Sequence, residues 1–284
     1  MILRLLTWAA AAAAIFVLVY IIIFILVKGV PYLKPSLFSL EYDSENVSMF
    51  PAIISTVFIA LLSLLIAVPL GVGAAIYLVE YAKRGNKVVG VIRVMAETLA
   101  GIPSIVYGLF GLLFFVTYLK WGFSILAGSL TLAIMILPLV LRQTEESLLA
   151  VPDIWREGSF GLGAGRLRTV FRVVLPAALP GILAGVILAT GRIVGETAAL
   201  LYTAGTVAQV PSSAMQSART LSVHMYALSS EAFHTGEGYA TAVVLLIVVV
   251  LINAASAQVA KQLVKTRGGD NARRKRKERK ETEL

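Results

Sequence analysis

Six stretches of this chain are apolar over the length that a helix needs to cross a bilayer, about 20 residues. They lie near Trp8–Val27, Pro51–Val79, Val94–Leu119, Ser124–Leu141, Leu179–Tyr202 and Tyr239–Val259. Hydrocarbon offers backbone N–H and C=O groups no partner, so such stretches must satisfy themselves as helices. The expectation is an all-α membrane protein with six transmembrane helices. Composition agrees: 58% of the residues are hydrophobic and 14% charged, against about 45–50% and about 25% in soluble domains. The first run is long and no small-residue cleavage site follows it, so it reads as an anchor and not as a signal peptide. Pro69, Gly71, Gly73, Gly101 and Pro103 fall inside the second and third runs, where kinks are expected.

Lys and Arg residues orient the spans. With both termini cytoplasmic, the inner segments hold Arg4, Lys83, Arg84, Lys87, Arg93, Arg142, Arg156, Arg166, Arg168, Arg172 and the basic C-terminal run. The outer segments hold only Lys28, Lys34, Lys120 and Arg219. The net charge of +9 is concentrated after Lys261. There it reads as a topology signal or a contact for anionic membrane lipid, and not as a nucleic-acid arm. With no cysteine and two histidines, disulfides, thiolate metal sites and a metal cofactor are not expected. No internal repeat is evident, unlike many secondary transporters. Three segments follow: a first helix and external stretch over 1–50, a five-helix core over 51–262, and a flexible basic tail over 263–284. The last two-thirds of the outer segment Thr203–Gly238 is polar, long enough for a short helix, and is expected to be a landing surface for an external partner.

The inner loop over about 143–175 is amphipathic. Leu148, Leu149, Val151, Ile154 and Phe160 are interleaved with Arg156, Glu157, Arg166 and Arg168. Pro152 ends the preceding helix, and a short helix is expected around Ile154–Gly161. Such a helix, lying along the membrane, suits a groove on a partner. Gly161, Gly163 and Gly165 permit a tight turn. They are no phosphate cradle, because no strand precedes them and no Gly-x-x-x-x-Gly-Lys-Ser/Thr occurs. The chain is therefore not expected to be an enzyme: ATP hydrolysis, if it drives this protein, belongs to another subunit.

In the fifth run, Gly191-Arg192-Ile193-Val194-Gly195-Glu196-Thr197 places a cation near mid-span. A charge there costs about 2.5–3.5 kcal/mol on insertion scales, which makes Arg192 a functional candidate. Arg192 and Glu196 are four apart, on one helical face. They read either as a self-neutralising structural pair or as an anion site on a translocation path. A guanidinium fork suits a tetrahedral oxyanion. A carboxylate beside it repels sulfate but accepts a hydrogen bond from a protonated oxyanion. Arg142 is either a second cationic post or a side chain snorkelling to the interface.

Three stretches together resemble one family: Ala96-Glu97-Thr98-Leu99-Ala100-Gly101-Ile102-Pro103-Ser104-Ile105-Val106-Tyr107-Gly108-Leu109-Phe110-Gly111, Arg142 through Glu146, and Arg192 through Leu200. With the Glu157…Gly163…Leu175-Pro176 loop, they are similar to the PstA-type permeases of phosphate ABC importers. Gly158 and Ser159 stand where that family usually has alanines. The resemblance implies the type I ABC importer permease fold in a bacterial plasma membrane. It implies a second permease subunit (PstC-like), an ATPase dimer (PstB-like) and an external phosphate-binding protein (PstS-like). It also implies a substrate path through Arg192, Glu196, Thr197 and Arg142, and ATPase coupling through Glu157, Gly158, Ser159 and Gly163. Permeases for sulfate or molybdate would share the loop, and a non-ABC anion transporter would need no ATPase.

Overall fold

The computed structural model describes residues 2–83, 85–230 and 234–282, without the side chains of 2–3 and 259–282. The described residues form helices, turns and bends, with no strand among them. The helices are α1 (Ile2–Gly29), α2 (Phe50–Ile76), α3 (Lys87–Ala100), α4 (Ser104–Gly111), α5 (Ile125–Leu149), α6 (Asp153–Gly161), α7 (Arg166–Thr169), α8 (Leu175–Val194), α9 (Ala198–Leu201), α10 (Leu221–Ser230) and α11 (Thr235–Thr282). π-Helical turns extend α2 over Tyr77–Tyr81 and α4 over Leu112–Tyr118, and lead into α8 over Val170–Val174. Five helical segments are long and apolar enough to span a bilayer, or six if a bent pair counts as one. The basic run expected to form a flexible tail belongs, as backbone, to the end of α11, and its side chains lie outside the described ones.

That bent pair is the third run. Instead of a kink, α3 and the α4 segment meet at 99° across Gly101-Ile102-Pro103. Proline biases its predecessor away from helical geometry, which stops α3 short of Pro103. The break leaves α3 carbonyls without helical partners, and the Tyr107 hydroxyl donates to one of them, Leu99 O, at 2.8 Å. Gly108 and Gly111 seat α4 against its neighbours. A Cβ on Gly108 would lie 2.8 Å from Ala199 Cα, and one on Gly111 would run into Thr131 and Thr203.

The core forms where α2, α5 and α8 meet, with Ile59, Leu132, Ile136, Val140, Ile193 and Leu200 buried together. Small residues bring these helices close, as dispersion-driven packing in a membrane requires. Gly71 abuts Val140, Gly181 abuts Ser147, and Gly185 abuts Gln143. Ser63 Oγ donates to Ser129 O across α2 and α5 at 3.1 Å. By contrast α1 packs on α11 and leaves Trp8, Phe16 and Tyr20 more than half exposed. That apolar surface carries no penalty in lipid.

Candidate functional site

The fifth apolar run is not one helix. α8 ends at Val194, and Glu196 and Thr197 precede the short α9. Arg192 and Glu196 therefore do not share a helical face, which corrects the expectation drawn from their spacing. Glu196 Oε1 accepts the Ala199 N–H at 3.1 Å, so the carboxylate caps α9. Ser222 Oγ on α10 donates to Glu196 O at 2.6 Å and ties the break to the loop beyond. Thr197 is half-buried at the cap position of α9, and its carbonyl accepts the Leu201 N–H at 3.0 Å. Hydropathy missed this break because the apolar run continues through Tyr202.

Arg192 falls in the last turn of α8, where the helix dipole favours a cation. Its depth follows from packing. Gly181 against Ser147 and Gly185 against Gln143 set an antiparallel register. Carried seven residues on, that register brings Arg192 level with Ile136, near the middle of α5. The chain thus breaks a span at mid-bundle, next to Arg192. Arg192 is half-buried and, among the described residues, no carboxylate lies within ion-pair distance of it. It lines a cavity of about 610 Å³ with Leu139, Ala184, Ile187, Leu188, Gly191 and Asn253.

Arg142 sits in a different setting. It lines a separate cavity of about 250 Å³. There it reaches Glu97 at 3.4 Å and Glu146 at 3.2 Å, while Arg93 pairs with Glu145 at 2.5 Å. Two guanidiniums therefore face three carboxylates. The structure brings Arg192, Glu196 and Thr197 to one helix break and leaves Arg142 in a cluster balanced by acids.

The loop helix forms as α6, one residue longer at its start than expected. Glu157 and Gly158 are exposed on it, and Gly163 lies just beyond at φ +79. Ser159 is half-buried, its hydroxyl 2.8 Å from that of Thr169, which closes the turn onto α7. Ile154, Trp155, Phe160 and Leu162 are exposed, Leu162 at 91%. An apolar set of this kind on a loop marks an interaction surface. Sequence reasoning missed what anchors α6. Arg156 donates from Nε and Nη2 to Glu80 Oε1 at 3.1 and 2.8 Å. It also donates to Leu148 O at 2.9 Å, in the last turn of α5, and to Val151 O at 2.7 Å, just beyond that helix. Glu80 lies on the π-helical turn after α2, one residue beyond the span assigned from hydropathy.

A bundle of membrane helices with a broken span at its centre and an apolar loop helix at one end defines a membrane transport permease. Residues 67–266 match the model of the binding-protein-dependent transport system inner membrane component, and the chain belongs to that family. Among curated proteins, it is 41% identical over 204 residues to the probable ABC transporter permease protein YqgI of Bacillus subtilis (strain 168), covering 69% of this chain and 67% of that one. It is 36% identical over 202 residues to the phosphate transport system permease protein PstA 2 of Mycobacterium bovis (strain ATCC BAA-935 / AF2122/97), covering 70% of this chain and 66% of that one. The aligned stretch thus spans about two thirds of each relative. Among solved structures, a chain of the bacterial alginate ABC transporter, crystallised with an alginate pentasaccharide-bound periplasmic protein, superposes with a TM-score of 0.66 at 16% identity. That match covers 91% of this chain and 96% of the other, and shows the type I permease fold. The chain is an inner-membrane permease subunit of an ABC importer.

Proposed function

We propose that this permease imports inorganic phosphate. The observation that carries the reading is Arg192: a cation at mid-bundle, beside a cavity and a helix break, with no carboxylate in ion-pair range among the described residues. Broken helices at the bilayer midplane are where transporters hold their substrates. A guanidinium offers a tetrahedral oxyanion two parallel donors. Several relatives are phosphate transport system permease proteins, which supports the same ion. Glu196 holds one oxygen on α9, and its Oε2 is free of hydrogen bonds among the described residues. That oxygen accepts from the P–OH of a protonated phosphate and repels sulfate.

In this reading the chain forms half of a translocation path with a second, PstC-like permease. The α6 end faces the cytoplasm, where Glu157, Gly158, Ser159 and Gly163 meet a PstB-like ATPase dimer that hydrolyses ATP. A PstS-like binding protein delivers phosphate to the opposite end, over the Thr203–Gly238 segment. Closure of the ATPase dimer pushes α6, and the Arg156 contacts carry that motion to α2 and α5. Arg142 gates the inner exit by exchanging Glu97 and Glu146 for a departing anion.

The test is labelled-phosphate uptake by cells that carry the other components, with this chain intact or as Arg192→Gln, at matched surface levels. Loss of uptake with normal assembly is expected. Full uptake by Arg192→Gln would remove Arg192 from the path and the phosphate reading with it.

A further inference from the structure

We infer that Asn253, on α11, is a second substrate-contacting residue and a determinant of which oxyanion passes. This rests on the phosphate reading of Arg192. Asn253 and Arg192 are the two polar side chains of the 610 Å³ cavity, and the other five lining residues are apolar or glycine. The Oδ1 atom of Asn253 is buried and has no hydrogen-bond partner among the described residues. A buried amide left unpaired is destabilising, so native proteins rarely keep one without a partner at hand. Leucine, alanine or isoleucine would fill this position on an apolar helix at no such cost.

The neighbourhood shows how the amide comes to sit beside the arginine. Opposite Asn253 stands Gly191, whose missing side chain leaves room for the amide: a Cβ there would lie 3.9 Å from Nδ2 and 4.0 Å from Oδ1. Gly191 is also the residue before Arg192, so the same turn of α8 that clears space for the amide presents the cation. An amide brings a donor and an acceptor together, whereas a guanidinium only donates. Hydrogen phosphate also carries both, as P–OH and P–O⁻, while sulfate at neutral pH carries acceptors alone. Arg192 therefore supplies attraction to any oxyanion. Asn253 matches the protonated one, with Nδ2–H toward P–O⁻ and Oδ1 toward the second P–OH of dihydrogen phosphate, whose first is held by Glu196.

The experiment measures labelled-phosphate uptake at saturating phosphate by the assembled importer, for Asn253→Leu, Asn253→Gln and Arg192→Gln. ATP hydrolysis and co-purification of the subunits are followed in parallel. Leucine is close in size and apolar, so Asn253→Leu should fold and assemble. Its uptake should fall on the order of tenfold, the equivalent of one hydrogen bond to a charged group. Asn253→Gln keeps the amide and should restore most of the uptake. Unchanged uptake by Asn253→Leu, with Arg192→Gln inactive, overturns the role of Asn253 and leaves the phosphate reading standing. Full uptake by Arg192→Gln overturns that reading itself. Loss of subunit co-purification in Asn253→Leu makes Asn253 an interface residue and also overturns the inference.

Discussion

Replacing Arg156 with methionine should cost far more than replacing Arg156 and Glu80 together. Both side chains are largely buried, at 13% and 8% exposure. Taking one partner from a buried ion pair leaves an uncompensated charge, which costs about 3–5 kcal/mol. Arg156→Met strands the Glu80 carboxylate in this way and also removes the donors to Leu148 O and Val151 O. In the double variant Arg156→Met/Glu80→Met no charge is stranded. What remains is the loss of two carbonyl hydrogen bonds, about 1 kcal/mol each, and of the exposed pair with Asp153, which is worth little. Those bonds are lost in Arg156→Met as well, so the double variant should be more stable than Arg156→Met alone by about the 3–5 kcal/mol of the stranded charge, and the two single losses should be far from additive. The assay is denaturant-induced unfolding of the purified protein in mixed micelles, with Glu80→Met completing the cycle. If the two single losses simply add in the double variant, the pair is not the joint that holds α6 to α2, and the reasoning fails.

Two glycines of similar sequence context should behave oppositely. Gly108→Ala sets a methyl 2.8 Å from Ala199 Cα, a backbone atom that no rotamer moves, and should destabilise by about 1–3 kcal/mol in the same assay. Gly73→Ala meets nothing within 4 Å and should be neutral or stabilising by up to about 1 kcal/mol. His224, on α10, is fully buried, and burial together with the Arg219 guanidinium pushes its pKa from 6.5 down to about 4, against a weaker pull from the Val47 backbone. The unfolded chain then takes up a proton that the folded one refuses. The contribution is fully present above about pH 6.5 and is lost as pH falls toward 4, by at most about 3 kcal/mol. Unfolding measured from pH 7 to 4 should fall less steeply for His224→Leu than for the parent, and equal slopes would refute the assignment.

The architecture was legible where it depends on local composition. Long apolar runs must be helices in hydrocarbon, and an amphipathic loop with Pro152 and Gly163 can form a short surface helix wherever it is placed. The Ala-Gly-Ile-Pro-Ser-Ile-Val-Tyr-Gly-Leu-Phe-Gly stretch also carried local information. Its proline breaks the span, although only the structure shows a turn of 99°. A single arginine in an apolar run stood out because its burial is expensive in any membrane fold.

What escaped the sequence involves partners far apart along the chain. Glu80 and Arg156 are 76 residues apart, and Glu97 and Arg142 are 45 apart. Each residue alone looks like an ordinary charge at a helix end. The spacing of Arg192 and Glu196 misled for the opposite reason: proximity in sequence implied a shared face, but the carboxylate caps the next helix and the backbone turns between them. Asn253 gave no signal, since one amide on an apolar helix has no meaning until Gly191 is found opposite. Apolar length and charge placement, summed along the chain, determined that this protein crosses a membrane and carries an amphipathic loop helix. Which cations are neutralised and which, among the described residues, stands apart from any carboxylate was decided by helix packing, because an ion pair depends on distances that only the folded bundle sets.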